Sequence, residues 1–220
     1  TLKPPFNSSL VRQAFAHEID RDVLVVIAIR FKSKSPVHAT TLTPPATLGR
    51  DLYGEVGAMF NPQMAKDLLT QAGYSDSSSF PKVVFLVNAS GDTAPGARFN
   101  LASAMADMWK THLGITVEVQ AIQSFSEYNN RLKSDTPDLY WLGWAADYND
   151  PDNFLSEIFH SGSEYNYGKF SNADFDKLVD SASRSNDPAK RQELYIQAER
   201  LLCETEAALI PIFHSTYNIP

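Results

Sequence analysis

The chain has 220 residues, of which 43% are hydrophobic and 20% charged, with a formal net charge of −7. This is an ordinary globular composition, sufficient for one large domain or two small ones around a substantial core. It argues against a nucleic-acid binder, since the one Lys/Arg cluster, RFKSK (Arg30 to Lys34), reads as a solvated loop, and no apolar run approaches the roughly 20 residues that span a bilayer.

In chain order, TLKPPF opens without a signal peptide or an initiating Met, and STYNIP closes as an extended stretch. Together these suggest an excised fragment. SSLVRQAFAHEIDRDVLVVIAI predicts a helix capped by Ser8 or Ser9, with Val11, Phe15, Ile19 and Val23 striping one face. Lys32 to Phe60 is a long irregular region with three prolines, and loops of that length are usually functional or packed against something else. FNPQMAKDLLTQAGY predicts a helix with Asn61 as cap, Pro62 at its first position and Gly73 as its stop. Pro62 has no N–H to leave orphaned, and Gly73 tolerates a left-handed exit. Ala65, Leu68, Leu69 and Ala72 form its buried stripe.

PKVVFLVNAS predicts a buried strand, followed by a loop containing Gly91, Pro95 and Gly96. RFNLASAMADMWKTHLG predicts a helix with Leu101, Met105, Met108 and Leu113 near one face, ending at Gly114. ITVEVQA alternates as a strand, SFSEYNNRLKS is a short helix, and DLYWLGW is apolar on both faces, as in a central parallel strand. DPDNFLSEIFHSG predicts a helix with Asp150 as cap and Pro151 next, burying Phe154, Leu155, Ile158 and Phe159. SNADFDKLVDSAS carries a capping-box pattern from Ser171 to Asp174. NDPAKRQELYIQAERLLCETEA, capped by Asp187, buries Leu194, Ala198, Leu201 and Leu202. Cys203, the single cysteine, falls in that apolar row as a buried structural thiol. ALIPIFHS closes as a strand whose Pro211 places it at an edge or a bulge. Strands alternating with long helices predict an α/β layer fold with a largely parallel sheet.

Few chemical motifs are present. The histidines, His17, His38, His112, His160 and His214, show no ligand spacing, so neither a zinc site nor any cofactor is expected. DYNDPDN resembles a calcium loop but lacks the central Gly and the terminal bidentate Glu. Acids at a helix start have a simpler explanation in the helix dipole. There is no GxSxG elbow, P-loop or GxGxxG, and a hydrolytic Asp147/Asp150 pair has only short sequence spacing in its favour.

Asp147 stands apart. It follows a buried-looking strand and precedes a helix cap, and ligand crevices of parallel sheets lie at the carboxyl ends of strands. An ionised ligand contact is one reading, and an Asx-type turn bond is the other. Trp141, Trp144 and Tyr148 are similarly divided between core and site.

GWAADYNDPDNF closely resembles the GW-x-AD-Y-x-DP-x-x-F segment of the periplasmic oligopeptide-binding proteins, the solute-binding subunits of peptide and nickel ABC importers. KPPFNSSLVRQAFAHEIDRD, NPQMAKDLLTQAGY, MWKTHLGITVEV, FSNADFDKLVDSA, the Arg191 to Leu201 pattern and ALIPIFH resemble further family segments in order, over nearly the whole chain. RFKSKSPVHATTLTPP departs, with Ser and Lys where relatives often carry a Gly-containing loop. The resemblance implies an α/β, periplasmic-binding-protein type II-like lobe, with a mainly parallel sheet flanked by helices. Residues 1–220 would form a single ligand-binding lobe, the C-terminal one of a longer protein.

The implied function is capture of short peptides in an interlobe cleft and delivery to a membrane permease. The implied location is the periplasm or the outer face of the cell membrane, with membrane association only through a missing N-terminal anchor. The receptor is expected to be monomeric, not an enzyme, and not a nucleic-acid binder. By the same resemblance, Asp147 pairs with the ligand's free α-ammonium, and Trp144, Ala145, Ala146 and Tyr148 line the cleft. Arg98, at the start of the helix after Asn88 to Ala97, falls where some relatives face the ligand's carboxylate, though an exposed helix-start Arg explains it equally. Nickel chelates, haem, opines and oligosaccharides are the alternative cargoes within this receptor class, and an Asp-dependent hydrolase is the alternative outside it.

Overall fold

A computed structural model describes residues 3–31, 36–90 and 96–215. Lys32 to Lys34 of the basic cluster, Lys32 to Ser35 of the divergent loop, Gly91 and Pro95, and the terminal stretch after Ser215 lie outside them.

The first expected helix is two. Helix α1 (Ser9–His17) ends at Glu18, and α2 (Arg21–Arg30) restarts where the Asp20 carboxylate accepts the N–H groups of Asp22 and Val23 at 3.0 and 3.3 Å. The restart shifts the helical phase, so Val11, Phe15 and Ile19 are buried but Val23 is 44% exposed. Ser8 occupies the α1 cap position without a side-chain cap bond.

The long connection then forms strand β1 (Pro36–His38) and the single turn α3 (Pro45–Leu48). It packs against the body of the lobe, with Leu48, Leu52 and Val56 buried. Helix α4 (Pro62–Gln71) keeps the expected ends: Asn61 accepts the Met64 N–H at 3.0 Å, and Gly73 has φ +91°.

Strands β2 (Val83–Asn88), β3 (Val117–Ile122) and β4 (Leu139–Tyr140) make a parallel sheet of order β3-β2-β4, with Phe85 opposite both Val119 and Leu139. Helix α5 (Ala97–Met108) follows β2 and continues through a wider turn to Gly114, and α6 (Phe125–Ser134) follows β3. The two helices cover opposite faces: Val83, Phe85 and Val87 pack with α5, and Leu86 packs with Tyr128 and Leu132 of α6. The fold is the α/β type expected, with a mainly parallel sheet flanked by helices.

The central strand of this sheet is β2, not the DLYWLGW run. Strand β4 has two residues and sits at the edge, and the chain leaves the ladder after the Trp141 N–H bonds the Leu86 carbonyl at 2.9 Å. Its continuous apolarity has another cause. Leu139 and Trp141 pack on one core, Leu142 and Trp144 on another, so the run bridges the two.

The first core gathers α1, α2, α4 and α5 against β2 and β3 around Trp109, which is fully buried and donates its indole N–H to the Phe15 carbonyl at 3.0 Å. The second gathers the long connection with α7 (Asp152–Phe159), α8 (Ala173–Arg184) and α9 (Pro188–Arg200). The α8 cap is Asn172, which accepts from Asp174 and Phe175, and not Ser171; the α9 cap is Asp187, as expected. The closing strand is shorter than ALIPIFHS: β5 (Phe213–Ser215) starts after Pro211 and pairs antiparallel with β1, Val37 opposite His214.

Buried polar side chains join these parts. The Arg21 guanidinium donates to the carbonyls of Ala39, Ala58 and Pro211 at 2.7–2.9 Å, drawing three chain segments together. The fully buried Glu199 carboxylate accepts the N–H groups of Leu42 and Thr43 at 2.9 and 2.7 Å, tying the long connection to α9. Cys203 is buried and unbonded to another cysteine, and its thiol donates to Glu199 at 3.4 Å.

Candidate functional site

All three strands of a parallel sheet present their carboxyl ends at one edge. Here the chain leaves that edge from β2 toward Arg98, from β3 toward α6, and from β4 toward Asp147. The expected site residues therefore belong to connections at one end of the sheet, where ligand crevices of open α/β sheets lie.

The segment after β4 is fixed at two points. The buried Tyr128 hydroxyl of α6 donates a short hydrogen bond to the Trp141 carbonyl, and burial pushes that phenol's pKa up, so it remains a donor. Further along, Leu142 and Trp144 pack on the second core, and the Trp144 ring meets Tyr165 edge-on at 5.0 Å. Beyond Trp144 the chain emerges: Ala145, Ala146, Asp147 and Tyr148 are all exposed.

The acids of this turn have different employments. Asp150 receives Arg191 of α9 through both carboxylate oxygens at 2.7 Å, and its Oδ1 also accepts the Asp152 N–H at 2.9 Å. Helix α7 begins one residue later than expected, at Asp152 with Pro151 in the cap position, and Asp150 satisfies its first N–H from outside while joining the turn to α9. Asp152 accepts from the Ser156 hydroxyl at 2.6 Å and the Tyr148 hydroxyl at 3.2 Å. The Asp147 carboxylate has no hydrogen-bond or ion-pair partner among the described residues; its backbone N–H bonds the Asn153 side chain at 3.3 Å. The turn-capping reading of Asp147 is thus set aside, since its carboxylate closes no turn.

Arg98 is half-buried and donates to the carbonyls of Asn88 and Ser90 at 2.8 and 3.0 Å, closing the end of β2. It is not the exposed helix-start Arg of the bland reading. Its charge favours ionisation of the Tyr128 phenol, the tether of the β4 segment.

The residues missed from sequence are Asn153 and Arg191, which hold the turn in place. Arg191 lay within a recognised helix pattern, but nothing local signalled its partner 41 residues away. Among the described residues no three His, Cys, Asp or Glu side chains are grouped to hold a metal ion. A surface groove of about 720 Å³ lies elsewhere, lined by Ser77, Lys82, Gly114 and Glu118 at the amino-terminal end of β2 and β3.

A lobe with two cores and an unpaired carboxylate at the carboxyl edge of its sheet has clear relatives. The chain is 31% identical over 216 residues to the periplasmic oligopeptide-binding protein OppA of Salmonella typhimurium, covering 96% of this chain and 38% of that protein. It is 32% identical to the probable deoxycholate-binding periplasmic protein YgiS of Escherichia coli, again over 96% of this chain and 38% of the relative. The solved Escherichia coli murein tripeptide binding protein MppA superposes with a TM-score of 0.83 at 28% identity, over 97% of this chain and 40% of that one. The chain thus spans about two-fifths of the length of the relatives it matches. The family model for bacterial extracellular solute-binding proteins, family 5 Middle, matches residues 1–166, and the chain belongs to that family.

Proposed function

We propose that this chain is a ligand-binding lobe of the substrate-binding component of an ABC importer, one that captures short peptides in an interlobe cleft and delivers them to a membrane permease outside the cytoplasm. The observation that carries the reading is the Asp147 carboxylate. It is exposed, lacks a partner among the described residues, and stands on a turn held by both cores. In a closing cleft it meets a peptide's α-ammonium. A charge-assisted hydrogen bond of that kind contributes about 2 kcal/mol. Leaving the acid sequestered without its cation costs roughly 3–5 kcal/mol.

Trp144, Ala145, Ala146 and Tyr148 flank the anchor as cleft wall. Arg98, already bonded to the β2 end, contributes positive potential toward a ligand carboxylate. Residues 1–220 act as a single lobe, and closure on peptide follows by hinge motion against a second lobe. The receptor works as a monomer, and any membrane association runs only through an anchor outside these residues. It has no catalytic role: Asp150, the hydrolytic partner that Asp147 would need, is held by one guanidinium nitrogen of Arg191 through both of its oxygens. Incubation with peptides should yield no cleavage products.

The similarity to a probable deoxycholate-binding protein supports a second reading, a non-peptide cargo in the same receptor class. An unpaired carboxylate at the site argues against an anionic one. Calorimetric titration of the full-length gene product with a short peptide pool, free against N-acetylated, separates the readings. Peptide capture predicts binding by the free-amine pool alone, lost in Asp147→Asn. Equal binding of both pools removes Asp147 as anchor, and binding of neither moves the cargo to chelates or sugars.

A further inference from the structure

Asn153 is a polar side chain in the first turn of α7 that is only 1% exposed. Its side-chain oxygen accepts two donors: the Trp144 indole N–H at 2.9 Å and the Asp147 backbone N–H at 3.3 Å. Nearby, the Tyr148 phenol donates to Asp152 of the same helix at 3.2 Å. One buried amide therefore holds both Trp144 and the backbone of the exposed acid.

We infer that Asn153 is the positioning residue of this site, setting where the Asp147 carboxylate points and locking Trp144 beside it. The inference rests on the peptide-capture reading only for its functional consequence; the geometry stands without it. The chemistry is specific to an amide. A side-chain carbonyl oxygen has two lone pairs for the two N–H groups and adds no charge. A carboxylate at 153 would keep both acceptor bonds but bring a further negative charge beside Asp147 and Asp152. An aliphatic residue of similar volume would lose every bond and leave two N–H groups to find other partners. The Arg191–Asp150 pair fixes the same turn from α9, but it reaches neither Trp144 nor the Asp147 backbone. It anchors the turn, and Asn153 orients the residues on it.

The test has two arms. In the 220-residue chain, hydrogen exchange by 15N NMR is followed at the Trp144 indole and the Asp147 amide, with the Trp109 indole as internal control. In Asn153→Leu, exchange at both positions rises about tenfold, the loss of one ordinary net hydrogen bond each, while Trp109 is unchanged. Unaltered exchange in a folded Asn153→Leu protein overturns the inference. If that variant does not fold, Asn153→Asp decides: protection of both N–H groups persists, whereas lost protection overturns it. In the second arm, the full-length gene product is titrated with a free and an N-acetylated peptide pool. Asn153→Leu narrows the preference for free amines about tenfold, whereas general loosening of the fold would weaken both pools alike and count against positioning. If Asp147→Asn leaves the free-to-acetylated ratio unchanged, the peptide reading fails, while the exchange measurement still decides Asn153.

Discussion

The two cores of this lobe solve the same problem by different means. In the first, β2 is sandwiched between α5 and α6, and its backbone groups are consumed by ladders to β3 and β4. In the second no contributing residue among those described lies in a strand, and irregular segments run between α7, α8 and α9. There the buried backbone is satisfied by side chains. Glu199 takes the N–H groups of Leu42 and Thr43, and Asn166 donates to the Phe170 carbonyl at 2.6 Å while accepting the Phe170 N–H at 2.9 Å. Buried polar backbone must be paired somewhere, and without a sheet the cost falls on specific polar residues. Asp147 stands on ground of this second kind, so its position depends on single side chains more than on strand register.

Point changes should expose that difference. The largest effect is expected from Trp109→Ala, which empties the centre of the first core and should cost about 4 kcal/mol in urea unfolding. Glu199→Leu should cost nearly as much, about 3 kcal/mol, by stranding two buried N–H groups, although it removes little apolar contact. If both changes shift one shared transition, the two cores form one cooperative unit; two separate midpoints would divide the chain into two.

A third effect depends on pH. His214 of β5 has a buried Nε2 without a partner among the described residues, and burial pulls its imidazole down from 6.5 to about 4, against the opposing pull of Asp51. The unfolded chain then binds the proton more tightly than the folded one. Stability present above the unfolded pKa is lost as pH falls from 6.5 toward about 4. Parent and His214→Phe proteins should therefore differ in acid sensitivity across that window, by on the order of 2 kcal/mol. Parallel stability–pH curves would remove His214 as the cause. The smallest effect on stability is expected at the site itself: Asp147→Asn should change unfolding by less than about 0.5 kcal/mol, because the carboxylate bonds to nothing among the described residues. A larger loss would mean that Asp147 supports the fold.

How far the sequence could be read follows the same division. Helix α4 was legible to the residue, because Asn61, Pro62 and Gly73 each act locally. Strands β2 and β3 were legible from β-branched and alternating patterns. The break between α1 and α2 was not, because Val11, Phe15, Ile19 and Val23 keep helical spacing across it and only the Asp20 cap interrupts. Leu139 to Trp144 was read as a central strand because apolarity on both faces does not reveal whether the neighbours are strands or two separate cores. The turn and its acid could be found from their place after an apolar run. Asn153, Arg191 and Glu199 could not, because their partners are distant in sequence or are backbone atoms that no sequence pattern marks.

The lone thiol has a practical consequence. Cys203 lies in the second core, and burial together with the neighbouring Glu199 carboxylate pushes its pKa well up, so the native chain should resist alkylating reagents. Whatever modification does occur must pass through an opened form. With one thiol per chain, the labelling rate under native conditions becomes a clock for opening of the second core, read by mass.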